Sequence, residues 1–369
     1  MKIHFNDLHS QWVQIKEQAL KEFDNLFYES NFILGKQVKD FENDFAHYIG
    51  TKYSIGVSNG TDAIKIAAKS LKLNDTTLVI IPANTYIATI FGMQEGIPNA
   101  DFKLIDCNSY YQIDVDLVKK CILDNRSKYK NVVIVPVHLY GYTCDMKSLL
   151  DIAQKYDCII LEDVSQAHGA KSYNRMVGTY GQVSAFSLYP GKNLGAAGDA
   201  GIITTDNENY YNNILIYRNL GSIKKYEHTD IGYNHRLDTI QAIILKLKLQ
   251  HLEIWNKKRR QIVNYIENNL TNNRITLPRN PNYCLPVHHV YPVITENNKH
   301  FQNYLTEHHI EYGMHYPILI EETSMYKHLS GPAHNSKQFA RYSTSLPIHP
   351  FMTDAHINYL VNTMNGYLS

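Results

Sequence analysis

The segment FSLYPGKNLGAAGDAG (186–201) sets a single lysine, Lys192, among glycines between two strand-like runs. Glycine lets a backbone turn tightly and approach a ligand closely. A lysine amine held in such surroundings and partly withdrawn from water has a lowered pKa, which suits it to condense with a carbonyl. A loop lysine taken alone is ordinarily just solvated, so the chemistry has to come from its partners. The first partner is Asp163, just after the apolar run CIIL, in LEDVSQAHGA (161–170). A carboxylate in that place caps a helix as readily as it serves catalysis. Its functional reading is specific, however: an ionised aspartate beside a pyridine nitrogen keeps that nitrogen protonated, so the ring can accept electrons from a carbanion. Gln166, three residues on, is placed to reach a phenolic oxygen of the same ring.

Upstream, SNGTDAIKIAAKSLKL (58–73) puts Asn, Gly, Thr and Asp directly before an amphipathic helix. These are ordinary N-cap residues. The free amides and positive dipole end of such a helix also make a phosphate site, and the Gly60-Thr61 pair leaves room for close approach. Ser187, five residues before Lys192, offers a hydroxyl to the same phosphate. In PANTYIAT (82–89), Tyr86 follows a strand-like run and can stack on a planar ring, although a core or surface aromatic is the simpler account.

These residues need a frame. Apolar residues recur at helical spacing from Trp12 to Tyr28 and again from Lys36 to Tyr48, where Gly50 closes the segment, so the chain is expected to open with an N-terminal arm and a docking helix. Strand-like runs TLVIIP (77–82), NVVIVPVHL (131–139), CIILED (158–163) and GIITT (201–205) then alternate with helical segments. That alternation predicts an α/β fold with a mostly parallel central sheet flanked by helices. Ligands of such sheets sit at the carboxyl ends of the strands, which makes His138 and Asp163 suspects by position alone. A long helical pattern from Arg236 to Leu270 is expected to link a large domain, residues 1–240, to a smaller C-terminal α+β domain, residues 241–369.

Composition adds exclusions. The net charge of +1 over 369 residues gives no electrostatic reason to expect nucleic acid or an anionic membrane as partner. The cluster Lys257-Lys258-Arg259-Arg260 reads as a solvated helix face. Five cysteines without a C-x-x-C pair suggest neither a disulfide framework nor a zinc site, and a reducing cytoplasm fits them best. No window approaches the roughly 20 apolar residues that a membrane span needs.

The ordered motifs HFNDL, GTDA, PANTY, HLYG, EDVSQAHGA, the Lys192 segment and GYNHRLDTIQA (232–242) together resemble the DegT/DnrJ/EryC1/StrS sugar aminotransferases, within the aspartate-aminotransferase fold. The resemblance covers nearly the whole chain. It implies pyridoxal 5'-phosphate as cofactor, with Lys192 as the Schiff-base lysine, Asp163 on the pyridine nitrogen, Gln166 on the phenolate and Tyr86 stacked on the ring. Gly60, Thr61, Asp62 and Ser187 would hold the phosphate. Asn234 looks like the family asparagine that reaches the phosphate of a neighbouring subunit, which implies a homodimer with shared sites. Ser165 stands where many members have alanine. A dehydratase branch has histidine in place of the lysine, and this chain keeps Lys192.

Within the family, YPGKNLGAAGDAG is similar to the branch that aminates C3 of TDP-linked 3-keto-6-deoxyhexoses, with glutamate as donor. The branch acting at C4 more often carries His-Pro before the lysine and Glu-Gly-Gly after it; here Tyr189-Pro190 and Asp199-Ala200-Gly201 occupy those places. By the same resemblance Tyr189, His315 and Tyr316 line the sugar pocket. A C4 aminotransferase, a sugar dehydratase and a non-catalytic regulator on this fold stay open as alternatives, and TDP is not distinguished from UDP.

Overall fold

The computed structural model describes residues 1–73, 75–329, 331 and 333–368. Short strands, most of them buried on both faces, build a seven-stranded sheet in the order Tyr53–Val57, Gly201–Thr205, Val183–Ser187, Ile159–Asp163, Asn131–Ile134, Thr77–Pro82 and Asp101–Ile105, the last an edge strand exposed at Asp101 and Lys103. Neighbours are parallel throughout except around Gly201–Thr205, which runs against both of its partners. Such near-continuous apolar strands are what a sheet covered by helices on both faces requires. Val79, Ile81, Val133 and Leu161 have no exposed surface, and full burial of such a side chain contributes about 1.5–3 kcal/mol. The layer they form fixes the strand ends, where Asp163 and Ser187 close two adjacent strands.

The runs 77–82 and 201–205 are strands over the expected residues, while 131–139 keeps strand geometry only to Ile134. Three strands, Tyr53–Val57, Asp101–Ile105 and Val183–Ser187, fall outside the runs read from the sequence. The first two helices span Leu8–Glu29 and Lys36–Ile49, the latter ending at Gly50. The amino end of the first is capped by Asp7, whose carboxylate accepts from Ser10 N–H at 2.9 Å.

The single helix expected over 236–270 is two, Thr239–Leu249 and Leu252–Asn269. The reason is packing. Ala242, Leu245 and Leu252 are buried with Phe45, Phe186 and Leu194 on the central sheet, whereas Ile262, Val263 and Ile266 are buried with Phe301, Leu305 and Leu360 in the C-terminal part. One straight apolar stripe does not serve both cores, and the chain breaks at Gln250-His251 where it passes from one to the other. The C-terminal part is a three-stranded antiparallel sheet, Ile275–Thr276, Tyr291–Thr295 and Ser343–Leu346, with the helices Asn298–Glu307 and Asp354–Asn365 beside it. No helix among the described residues is long and apolar enough to cross a membrane.

Candidate active site

Lys192 sits in the irregular segment between the strands Val183–Ser187 and Gly201–Thr205, with its backbone N–H donating to the Tyr189 carbonyl at 2.9 Å. Side chains from elsewhere pin this segment. Lys248 Nζ donates to the Gly195 carbonyl at 2.7 Å, Ala197 N–H donates to Gln241 Oε1 at 2.8 Å, and Asn6 Nδ2 donates to the Gly191 carbonyl at 3.4 Å. The backbone that carries Lys192 is thus held in place, with the residue half-buried. Burial pushes its pKa down to about 8, and the Asp163 carboxylate opposes that shift. Near neutrality it is a base as well as an acid.

Asp163 ends its strand with 4% of its surface exposed. Thr89 Oγ1 donates to its Oδ2 at 2.8 Å, and Ser165 N–H donates to its Oδ1 at 3.1 Å. Ser165 acts here through its backbone, so the exchange with alanine noted in the sequence costs Asp163 nothing. Gln166 is oriented by Tyr140 N–H, which donates to Oε1 at 2.6 Å, leaving Nε2 to donate to Tyr316 Oη at 2.9 Å. Tyr316 packs against Tyr86 with ring centroids 5.0 Å apart.

The helix Gly60–Ser70 begins beside Ser187. A Cβ on Gly60 would lie 2.5 Å from Ser187 Cβ and 2.9 Å from its Oγ, so only glycine lets the helix start approach this strand end. The first-turn amides of Gly60 and Thr61 have no intrahelical partner. Asp62 is differently engaged. Its N–H is capped by Asn59 Oδ1 at 2.9 Å, and its Oδ2 accepts from Ser58 Oγ at 2.5 Å and Asn59 Nδ2 at 2.6 Å, with His235 Nδ1 at 3.2 Å. The Asp62 carboxylate therefore braces the helix start, while the amides and the Thr61 and Ser187 hydroxyls remain as the groups suited to an anion.

A cavity of about 980 Å³ gathers these parts. Gly60, Thr61, Asp62, Tyr86, Asp163, Gln166, Ser187, Tyr189, Lys192, His315 and Tyr316 all line it. His315 Nδ1 meets Ser345 Oγ at 2.9 Å, and burial, with Lys192 nearby, lowers its pKa to about 4. Asn234 is exposed and does not line the cavity of its own chain. His138, suspected from its strand-end position, is turned away from the cavity. It is fully buried against Glu162, Nε2 to Oε2 at 3.2 Å, and its Nδ1 accepts from Cys144 N–H at 3.1 Å.

Four residues of this site escaped the sequence reading. Thr89 lies in the quoted PANTYIAT run but carried no assigned role, and Lys248 reads as one more lysine on an amphipathic helix. Arg259, expected on a solvated face, is 3% exposed: its Nη1 donates to the carbonyls of His288, His289 and Ile348, and it lines the cavity. His289 lies beside Asn193 in space but 96 positions away in sequence, with no local signal to mark it.

A model of the DegT/DnrJ/EryC1/StrS aminotransferase family matches residues 13–365. The chain belongs to this family. Among curated aminotransferase relatives, the dTDP-3-amino-3,6-dideoxy-alpha-D-galactopyranose transaminase of Aneurinibacillus thermoaerophilus is 36% identical over 366 residues, covering 99% of both chains. The dTDP-3-amino-3,4,6-trideoxy-alpha-D-glucose transaminase of Streptomyces venezuelae is 31% identical over 355 residues, covering 95% of this chain and 92% of that protein. Among solved structures, NtdA from Bacillus subtilis with bound cofactor PMP superposes with a TM-score of 0.88 at 25% identity, covering 98% of this chain and 84% of that one.

Proposed function

We propose that this aminotransferase uses pyridoxal phosphate to move an amino group from glutamate onto C3 of a TDP-linked 3-keto-6-deoxyhexose, working as a homodimer. The observation that carries this reading is the joint placement of Lys192, Asp163 and the Gly60 helix start around one cavity. The residues present fit the cofactor. The space that a Cβ on Gly60 would fill is kept open beside Ser187, and the donor set there suits a phosphate.

When bound, pyridoxal phosphate supplies a protonated ring that stabilises negative charge on the carbon losing its proton. The chain's own residues do the rest. Gly60, Thr61 and Ser187 bind the phosphate. Asp163, its oxygens oriented by Thr89 and the Ser165 amide, holds the proton on the ring nitrogen. Tyr86 would stack on the ring, and Gln166 Nε2, which donates to Tyr316 Oη at 2.9 Å, would be the donor for its phenolic oxygen. Lys192 takes a proton at Nζ and returns it at the neighbouring carbon, for which its lowered pKa is suited. Tyr189, His315 and Tyr316 wall the sugar and decide which carbon comes within reach.

The amino position rests on the two relatives, each of which carries the amine at C3 by name. The dimer rests on Asn234, exposed and outside its own cavity, and on apolar side chains left in water by a single chain, such as Tyr28 at 93% and Tyr226 at 83% exposure. Supplying enzyme with TDP-3-keto-6-deoxyhexose and glutamate should release 2-oxoglutarate in step with amino sugar. A sugar dehydratase would release none, and that result overturns the reading.

A further inference from the structure

Asn193, next to Lys192, is buried and commits both hydrogens of its side-chain amide. Nδ2 donates to Asn256 Oδ1 at 2.9 Å and to the Val287 carbonyl at 3.0 Å. The orientation of both amides is fixed by backbone acceptors, since Asn256 Nδ2 donates to the His168 carbonyl at 2.8 Å. Asn193 Oδ1 can therefore only accept, and the group that meets it at 3.2 Å is His289 Nδ1. Two lone pairs do not bond, so Nδ1 carries the proton and Nε2 is left as an acceptor.

The main chain that carries the ring is tied on both sides. His289 N–H donates to the Tyr140 carbonyl at 2.9 Å, and its own carbonyl accepts from Arg259 Nη1 at 3.4 Å. The imidazole lines the cavity with Lys192 and His315, and no described residue donates to Nε2. Burial, together with Lys192, Arg259, His315 and His168 around it, holds the ring far below its ordinary pKa. It is a neutral imidazole with its donor end tied and its acceptor end open.

Such a group selects its ligand by chemistry. Phosphates and carboxylates offer only acceptors and gain nothing from a lone pair. A hydroxyl offers the missing hydrogen. We infer that His289 Nε2 accepts a hydrogen bond from a ring hydroxyl of the sugar, which makes it a specificity-determining residue of the cavity; this rests on the keto-sugar reading above. A 3-amino-3,6-dideoxyhexose linked to a nucleotide through C1 has only two ring hydroxyls, at C2 and C4.

Calorimetric binding of TDP-3-amino-3,6-dideoxygalactose and its 2-deoxy and 4-deoxy analogues to the cofactor-loaded enzyme tests the assignment. The wild-type chain is expected to bind one of the two deoxy analogues about tenfold more weakly than the parent sugar. His289→Phe should lose that discrimination, and His289→Gln, whose Oε1 can accept, should restore part of it. If His289→Phe weakens all three sugars alike, or keeps the wild-type discrimination, His289 does not read a hydroxyl. Because binding needs no turnover, this failure is distinct from failure of the aminotransferase reading, which release of 2-oxoglutarate by the wild-type chain scores separately.

Discussion

Thr89 Oγ1 lies 2.8 Å from Asp163 Oδ2 and donates its one hydrogen there. Thr85 Oγ1, 2.9 Å from Thr89 Oγ1, must then be the donor in that second contact, so two hydroxyls form a directed relay that ends on the carboxylate. A hydrogen bond to a charged group is worth about 1.5–3 kcal/mol. Thr89→Val keeps the shape and removes the donor, and it should lower kcat by about 10- to 100-fold while leaving the KM for the sugar nearly unchanged, because Thr89 positions Asp163 rather than the substrate. Steady-state kinetics with saturating cofactor checks this, and a wild-type kcat would refute it.

The amine of Lys192 should titrate apart from the exposed lysines. Burial favours its neutral form, so in cofactor-free protein its reaction with an acylating reagent should rise with pH around a midpoint near 8. Asp163 raises that pKa, so Asp163→Asn should move the midpoint lower. Peptide mapping of the labelled lysine gives the curve. A midpoint above pH 10 in the native chain would contradict the burial argument.

Glu162 is the buried anchor one residue before Asp163 on the same strand. It accepts from His138, from the amides of Gly178, Tyr180 and Gly181, and from Ser184 Oγ, all within 3.2 Å. Burial opposes its ionisation, but His138 and the backbone amides outweigh it and hold the carboxyl below its ordinary pKa. The sign follows. A depressed pKa gives stability that is present above the unfolded value of 4.5 and is lost as pH falls through the lower folded value. Glu162→Gln keeps the shape but removes the charge that these donors face, which should cost about 1.5–3 kcal/mol at neutral pH and flatten the loss of stability below pH 4.5. Urea unfolding at several pH values measures both.

If Asn234 serves the partner's site, a hybrid dimer has one site with both Lys192 and Asn234 intact. Mixing inactive Lys192→Ala chains with inactive Asn234→Ala chains should therefore recover part of the activity. No recovery, with subunit exchange shown by mass spectrometry, would place Asn234 outside any shared site.

The residues that line the candidate site were largely legible in the sequence because they sit at punctuation marks. Asp163 follows an apolar run, Gly60 and Thr61 open a helix, and Lys192 stands in a glycine-rich turn, so local pattern and local role coincide. His138 ends a similar run yet faces inward to Glu162, since a strand-end position does not tell which way a side chain points. The strand Val183–Ser187 escaped because VSAFS lacks an apolar alternation, its serine at 184 being buried to satisfy Glu162. His289 and Arg259 owe their placement to packing of the C-terminal part on the sheet, and no window of sequence contains both sides of such a contact.

On the proposed function, Lys192 mediates transfer of nitrogen to C3. Incubating the enzyme with glutamate labelled with nitrogen-15 and TDP-3-keto-6-deoxyhexose, then locating the label by NMR, tests it most directly. The wild-type chain should place the label on C3 of the sugar, and Lys192→Ala should place none. Label on C4, label transferred equally well by Lys192→Ala, or no labelled sugar at all from the cofactor-loaded wild-type enzyme would contradict the account.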